Sequence, residues 1–195
     1  TRVAEMLAGG IDLMVEVPPV ALSEFEGDQY SVIEQAGPHV WFLILNAKEG
    51  PFADKLVRQA ANFAVNKEAL VNDVLEGTAD VAAGPTPPAF AWAYNDALDP
   101  YPYDPEKAKE LLAEAGVENP SVTFYVTEGG SGMLDPIAMG TAIQADLQAV
   151  GFDVTIETYE WNTFLGEVNP GLEGKADMAE MAWMTNDPDT LPYLA

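Results

Sequence analysis

Apolar residues recur at two periods along this chain, and the switches between them mark its elements. Between Tyr101 and Gly116 the period is helical. Ala108, Leu111, Leu112 and Ala115 fall at i, i+3, i+4 and i+7, so one stripe faces a core. Asp104 can cap this helix, Pro105 suits its first position, and Gly116 suits a left-handed C-terminal residue. From Val122 onward the two periods alternate. Val122–Thr127 reads as a strand. Asp135-Pro136 opens a helix with Met139, Ile143, Leu147 and Val150 on one stripe, ended by Gly151. Phe152–Glu157 alternates as a strand, Trp161–Val168 reads as a short helix, and Ala176–Trp183 as a final strand. Strand, helix, strand, helix, strand predicts an α/β layer with helices packed on a mixed sheet.

The earlier part of the chain is punctuated differently. Thr1–Gly10 predicts a short helix with Val3 and Leu7 inward, and Ile11–Val17 predicts a strand stopped by Pro18-Pro19. Val20–Phe25 predicts one or two helical turns, and Tyr30–Glu34 a further strand. Val40–Asn46 is nearly all apolar, which fits a strand covered on both faces. Asp54 can cap a helix running to about Phe63, and Asn66 a second one, Lys67–Glu76, ended by Gly77. Thr78–Pro102 has no clean period and carries Phe90, Trp92, Tyr94 and Tyr101 among its prolines. A loop of this length is usually functional or mobile.

Composition narrows the function classes. The 195 residues carry a net charge of −24 with eight Lys and Arg in all. Nucleic-acid binding needs basic surface to release counterions, so no nucleic-acid partner is expected. The acidic residues are spread along the chain, as on a solvated surface. Hydrophobic residues make up 48% of the chain, so it is not a disordered acidic tail. No apolar run approaches the length needed to cross a bilayer. Cysteine is absent, which excludes a disulfide framework and thiol chemistry.

Catalytic and metal-binding constellations are poorly supported. His39 is the one histidine. It cannot supply a zinc site alone, no nucleophile-elbow pattern accompanies it, and its plain reading is a residue opening a strand. Asp187-Pro-Asp189, with Glu157 and Glu160 upstream, pairs carboxylates by the chance expected in so acidic a chain, and lacks the spacing of a calcium loop. No metal, cofactor or enzymatic activity is expected. Gly129-Gly-Ser-Gly132 lies between a strand and a helix, where backbone N–H groups can cradle an anion. It lacks a P-loop lysine and dinucleotide-type glycine spacing, so a strand-to-helix turn is its plainer role.

Three segments resemble a known family. Tyr101-Pro-Tyr-Asp-Pro-Glu-Lys-Ala108, Val57-Arg-Gln-Ala-Ala-Asn-Phe-Ala-Val-Asn-Lys67 and the intervening Gly84-Pro-Thr-Pro-Pro88 stand in the order and spacing found in family 5 solute-binding proteins. Those are the extracytoplasmic receptors of peptide, nickel and related ABC importers. The resemblance covers essentially the whole chain. It implies an α/β fold, a type II periplasmic-binding-protein-like lobe with a mixed β-sheet and packed helices. It also implies that the chain is an internal piece of a longer receptor. Residues 1–45 would then end the first lobe and form the first hinge strand, 46–183 the second lobe, and 184–195 the returning hinge. The implied function is non-enzymatic: binding a peptide-like or other small solute in an interlobe cleft and delivering it to a membrane permease. A periplasmic or extracellular location follows, with membrane association in the full-length parent. A stand-alone hydrolase or carbohydrate-active domain sharing only the architecture is the alternative.

The resemblance also assigns candidate ligand contacts. Trp183-Met-Thr-Asn-Asp-Pro-Asp189 is similar to the family's strand-to-hinge segment. Asn186 matches the position where dipeptide receptors carry an aspartate for the ligand's ammonium group, and Asp187 follows it. Gly130 lies in the turn that borders the cleft, where those receptors hold a carboxylate with an arginine. This chain's arginines are Arg2 and Arg58, so the region 128–134 has none. A longer or uncharged solute is therefore expected, an oligopeptide held by its backbone or a short oligosaccharide stacked on Trp41 or Trp183. Core packing explains Trp41 and Trp183 about equally well, and Trp161 reads as packing. Apolar surface left uncovered in an isolated piece is expected to drive dimerisation.

Overall fold

The cap written at Asp104 is made as the sequence predicts. Its Oδ1 accepts from the Lys107 backbone N–H at 2.9 Å, and α4 runs Pro105–Glu114 with Ala108, Leu111 and Leu112 buried. Asp54 and Asp135 do the same work for α2, Lys55–Ala64, and α5, Pro136–Ala149. Asn66 caps α3, Lys67–Ala69, which continues as one wide π-type turn, Leu70–Val74. The remaining helices are α1, Arg2–Leu7, and α6, Trp161–Val168, where Glu160 caps Asn162 and Thr163. These features belong to a computed structural model that describes residues 2–35, 37–130 and 132–184.

Four strands, β1 His39–Leu45, β2 Ser121–Thr127, β3 Asp153–Tyr159 and β4 Met178–Met184, form one mixed sheet in the order β1-β4-β2-β3. β2 runs parallel to β3 and to β4, while β1 runs antiparallel to β4. The strand–helix–strand–helix–strand reading of 122–183 is thus realised as β2-α5-β3-α6-β4. The β2–β4 ladder is short, pairing Phe124 with Met178 and Tyr125 with Ala179. Two carboxylates extend it. Asp177 Oδ2 accepts from the Thr123 N–H at 2.8 Å at one end, and Glu180 Oε1 from the Thr127 N–H at 3.3 Å at the other.

Each face of the sheet carries its own apolar cluster, as two-residue alternation requires. Val122, Phe124, Val126, Val154 and Met178 pack with α2, α4 and α5 on one face. Tyr125, Ala179 and Met181 pack with Phe164 and Val168 of α6 on the other. β1 contributes to both, through Trp41, Leu43 and Leu45 on the first face and Phe42 and Ile44 on the second. Its apolar run is explained by two covered faces, although as an edge strand it stays mostly half-buried.

The early segment departs from the sequence expectation. Neither 11–17 nor 30–34 is a strand. Leu13 is 79% exposed and Ile33 87%, and no neighbouring strand in this chain accepts their backbone groups. Alternating apolar residues form a strand only where a ladder and a covered face exist. Between them Pro19–Phe25 forms a 3-10 helix, with Phe25 edge-on to Tyr30 at 5.1 Å. The helix predicted to Glu76 stops at Val74, its wide last turn closed by the Leu75 N–H bonding to Leu70 O.

Candidate functional site

The carboxyl ends of β2, β3 and β4 point to the same edge of the molecule, as parallel strands must. Ligands of open α/β sheets bind outside such ends. There the backbone leaves β2 at Thr127 and enters a turn. Thr127 Oγ1 donates to Gly129 O at 2.6 Å, and the Glu128 N–H donates to Tyr159 O at 2.9 Å. Gly130 and Met133 form an isolated bridge, after which Asp135 caps α5. Gly130 is needed as glycine because the Trp161 ring lies against it; a Cβ would sit 2.7 Å from Trp161 Cζ3. Gly132 has φ +73°, and its missing Cβ makes room for the His39 ring.

Trp183 lies near the end of β4, opposite Val40, and is 38% exposed. Trp41 lies opposite Ala182 and packs on the first cluster. Strand alternation puts the two indoles on opposite faces of the β1–β4 pair, so they do not make one stacking platform. Trp161 packs as expected, stacked on Phe164 with centroids 6.0 Å apart. Asn186 and Asp187 lie outside the described residues. His39 opens β1, and its Nε2 is buried without a hydrogen-bond partner.

Glu180 was not singled out by sequence. It is fully buried in the middle of β4, between apolar neighbours. Burial pushes its carboxyl up to about 8; the Thr127 N–H and the nearby Trp41 indole oppose this, and the Asp135 carboxylate adds to it. Trp41 Nε1 acts on the carboxyl without reaching hydrogen-bonding geometry, leaving Nε1 and Glu180 Oε2 unpaired. The signal in the sequence is a lone acid inside Met178-Ala-Glu-Met-Ala-Trp183. At the end of β3 the Tyr159 hydroxyl donates to Glu157 Oε2 at 2.8 Å, which raises the pKa of the phenol.

A second concavity, lined by Leu112, Gly116, Asn119, Val150 and Gly151, lies at the amino ends of β2 and β3, away from this chemistry. Among the described residues no group of three or more His, Cys, Asp or Glu could hold a metal ion, and no helix is long and apolar enough to cross a membrane.

Comparison with known proteins gives a consistent result. The family model described as bacterial extracellular solute-binding proteins, family 5 Middle, matches residues 1–195. The chain is 36% identical over 182 residues to heme-binding protein A of Haemophilus influenzae, spanning 89% of this chain and 33% of that protein. It is 34% identical over 193 residues to the dipeptide-binding protein of Escherichia coli, spanning 96% and 35%. The fold superposes with a TM-score of 0.87, at 33% identity, on the ABC transporter-associated periplasmic binding protein DppA from Helicobacter pylori in complex with peptide STSA. That superposition covers 99% of this chain and 37% of the other. The chain therefore spans about a third of the length of the curated relatives it matches. With its mixed sheet, its packed helices and its match from end to end, this chain belongs to the bacterial extracellular solute-binding proteins, family 5.

Proposed function

We propose that this chain supplies one wall of the solute cleft in the substrate-binding component of an ABC importer, and that the solute is peptide-like. The observation that carries this reading is the convergence of three parallel strand ends, the glycine turn at 129–133 and the exposed Trp183 on one edge. Residues 46–183 act as the second lobe, 1–45 as the end of the first lobe and the first hinge strand, and 184–195 as the return hinge. Closure of the lobes traps the solute and presents a surface to the permease, a hinge motion of the kind used by periplasmic binding proteins. Trp41, Trp183, Asn186, Asp187 and Gly130 contribute to the cleft wall. The role is binding without catalysis, in the periplasm or outside the cell, with the full-length parent held at the membrane. The hydrolase alternative is not favoured, since the matched relatives are binding proteins. Cut from its parent, the chain dimerises through apolar groups such as Leu13, Val15, Val32 and Ile33, which stand exposed.

Neutral Asn186 and an arginine-free turn suit an oligopeptide held by its backbone better than a dipeptide read by both charged ends. Losing one partner of a buried charge pair costs about 3–5 kcal/mol. Calorimetry on the full-length parent with dipeptides, tetrapeptides and terminally blocked peptides tests the reading. Tetrapeptides should bind more tightly than dipeptides and tolerate blocked ends. Micromolar dipeptide binding abolished by blocking would show that the other lobe supplies the missing charges.

A further inference from the structure

Among the described residues three buried side-chain polar atoms lack a hydrogen-bond partner, and they are His39 Nε2, Trp41 Nε1 and Glu180 Oε2. All three belong to the β1–β4 pair. A buried polar group left unpaired costs about 1–3 kcal/mol, and native folds carry few of them without a reason. Trp41 and Glu180 share a face of the sheet, since Trp41 ladders with Ala182 and Leu43 with Glu180. The carboxyl of Glu180 is flanked by Thr127, where the chain enters the 129–133 turn, and acted on by Asp135, where it leaves. That turn is closed by a single bridge, Gly130 to Met133.

We propose that Glu180 Oε2 and Trp41 Nε1 form a recessed hydrogen-bonding subsite beneath the 129–133 turn, which receives an uncharged acceptor of the solute, a peptide carbonyl oxygen. The inference rests on the peptide reading above. The chemistry of the pair selects the acceptor. Glu180 Oε1 already accepts from Thr127. Burial keeps the acid protonated at neutral pH, so Oε2 is a hydroxyl with no acceptor. The Trp41 indole N–H is a donor with no acceptor either. Two idle donors side by side call for one oxygen. An ammonium group offers none, and a carboxylate would add a negative charge beside Asp135. The groups facing Glu180 are Trp41 from β1, Thr127 from β2 and Asp135 from the start of α5, the last being the charged one. Lifting the glycine turn opens the path to the carboxyl.

The test is calorimetry of tetraalanine binding to the full-length parent from pH 6 to pH 9, with Glu180→Met, Glu180→Gln and Trp41→Phe. Glu180→Met and Trp41→Phe each remove one donor and should weaken binding about tenfold, the size of one lost hydrogen bond. Glu180→Gln keeps an N–H donor and an acceptor for Thr127. It should weaken binding less than Glu180→Met and abolish the loss of affinity that the wild type shows above about pH 8. His39 is unchanged in all variants, so its titration is common to every profile. Wild-type affinity retained in folded Trp41→Phe and Glu180→Met overturns the subsite alone. Affinity that rises with pH in the wild type shows a charged carboxylate reading a cation, and overturns the choice of ligand group. A wild-type parent that binds no tetraalanine overturns the peptide reading and the subsite with it.

Discussion

The Thr127 backbone N–H donates to Glu180 Oε1 at 3.3 Å, just where the β2–β4 ladder has run out. A side chain here takes the place of a main-chain acceptor, and the group that does so is an acid with no cation acting on it.

This acid makes stability pH-dependent with a definite sign. Its ordinary value is 4.5 and burial raises it to about 8 in the folded chain. Between these values the folded state holds a proton that the unfolded state has lost, so stability falls as pH rises, by about 1.4 kcal/mol per unit. The contribution of the neutral acid is fully present below pH 4.5 and gone above about pH 8. In urea titrations Glu180→Gln should gain roughly 2–3 kcal/mol on the wild type between pH 5 and pH 7.5. Parallel curves for the two proteins would show that Glu180 ionises normally.

Gly140 lies in α5 against β2, and a Cβ there would stand 2.7 Å from Val126 Cγ2 and 3.1 Å from Cγ1. Alanine favours the helix by about 1 kcal/mol over glycine, but Val126 is β-branched and fully packed. Overpacking of this kind costs about 1–3 kcal/mol. Gly140→Ala should therefore lower the urea midpoint, and a higher midpoint would mean that α5 can step away from the sheet.

Phe124 is fully buried at the centre of β2, while Trp92 is 79% exposed in the long loop. Phe124→Ala should cost about 3–5 kcal/mol, and Trp92→Ala should stay within about 0.5 kcal/mol. Equal effects on the chemical-denaturation midpoint would contradict the placement of the core.

The charge balance sets a salt response. Four ion pairs, Lys48–Glu173, Lys107–Glu110, Lys109–Glu106 and Lys175–Glu167, use four of the eight basic residues and all lie at the surface. Exposed pairs contribute roughly 0–1 kcal/mol each, so they do not offset the repulsion of a net −24. The melting temperature should rise as sodium chloride is added from low ionic strength, where the screening length is long, to about 0.5 M. A flat or falling profile would remove self-repulsion as a term in the stability.

Capped helices and alternating strands were legible because they are local. Asp54, Asp104 and Asp135 each sit beside the N–H groups they satisfy, and the apolar stripes of α4 and α5 repeat within a few turns. The order β2-α5-β3-α6-β4 followed from counting periods. Sequence by itself thus determined the class of fold, the family pattern and the edge at which a solute cleft belongs. It could not decide what depends on partners far along the chain. The alternation at 11–17 and 30–34 became a strand in neither place, because no ladder in this chain reaches it. Trp41 and Trp183 looked interchangeable until the pairing of β1 with β4 put them on opposite faces. Glu180 looked like one acid among many, and only the closing of α5, β1 and β2 around it took its water away. Burial is a property of packing across the whole sheet, so the one carboxyl whose chemistry is most changed was the one its neighbours in sequence could not reveal.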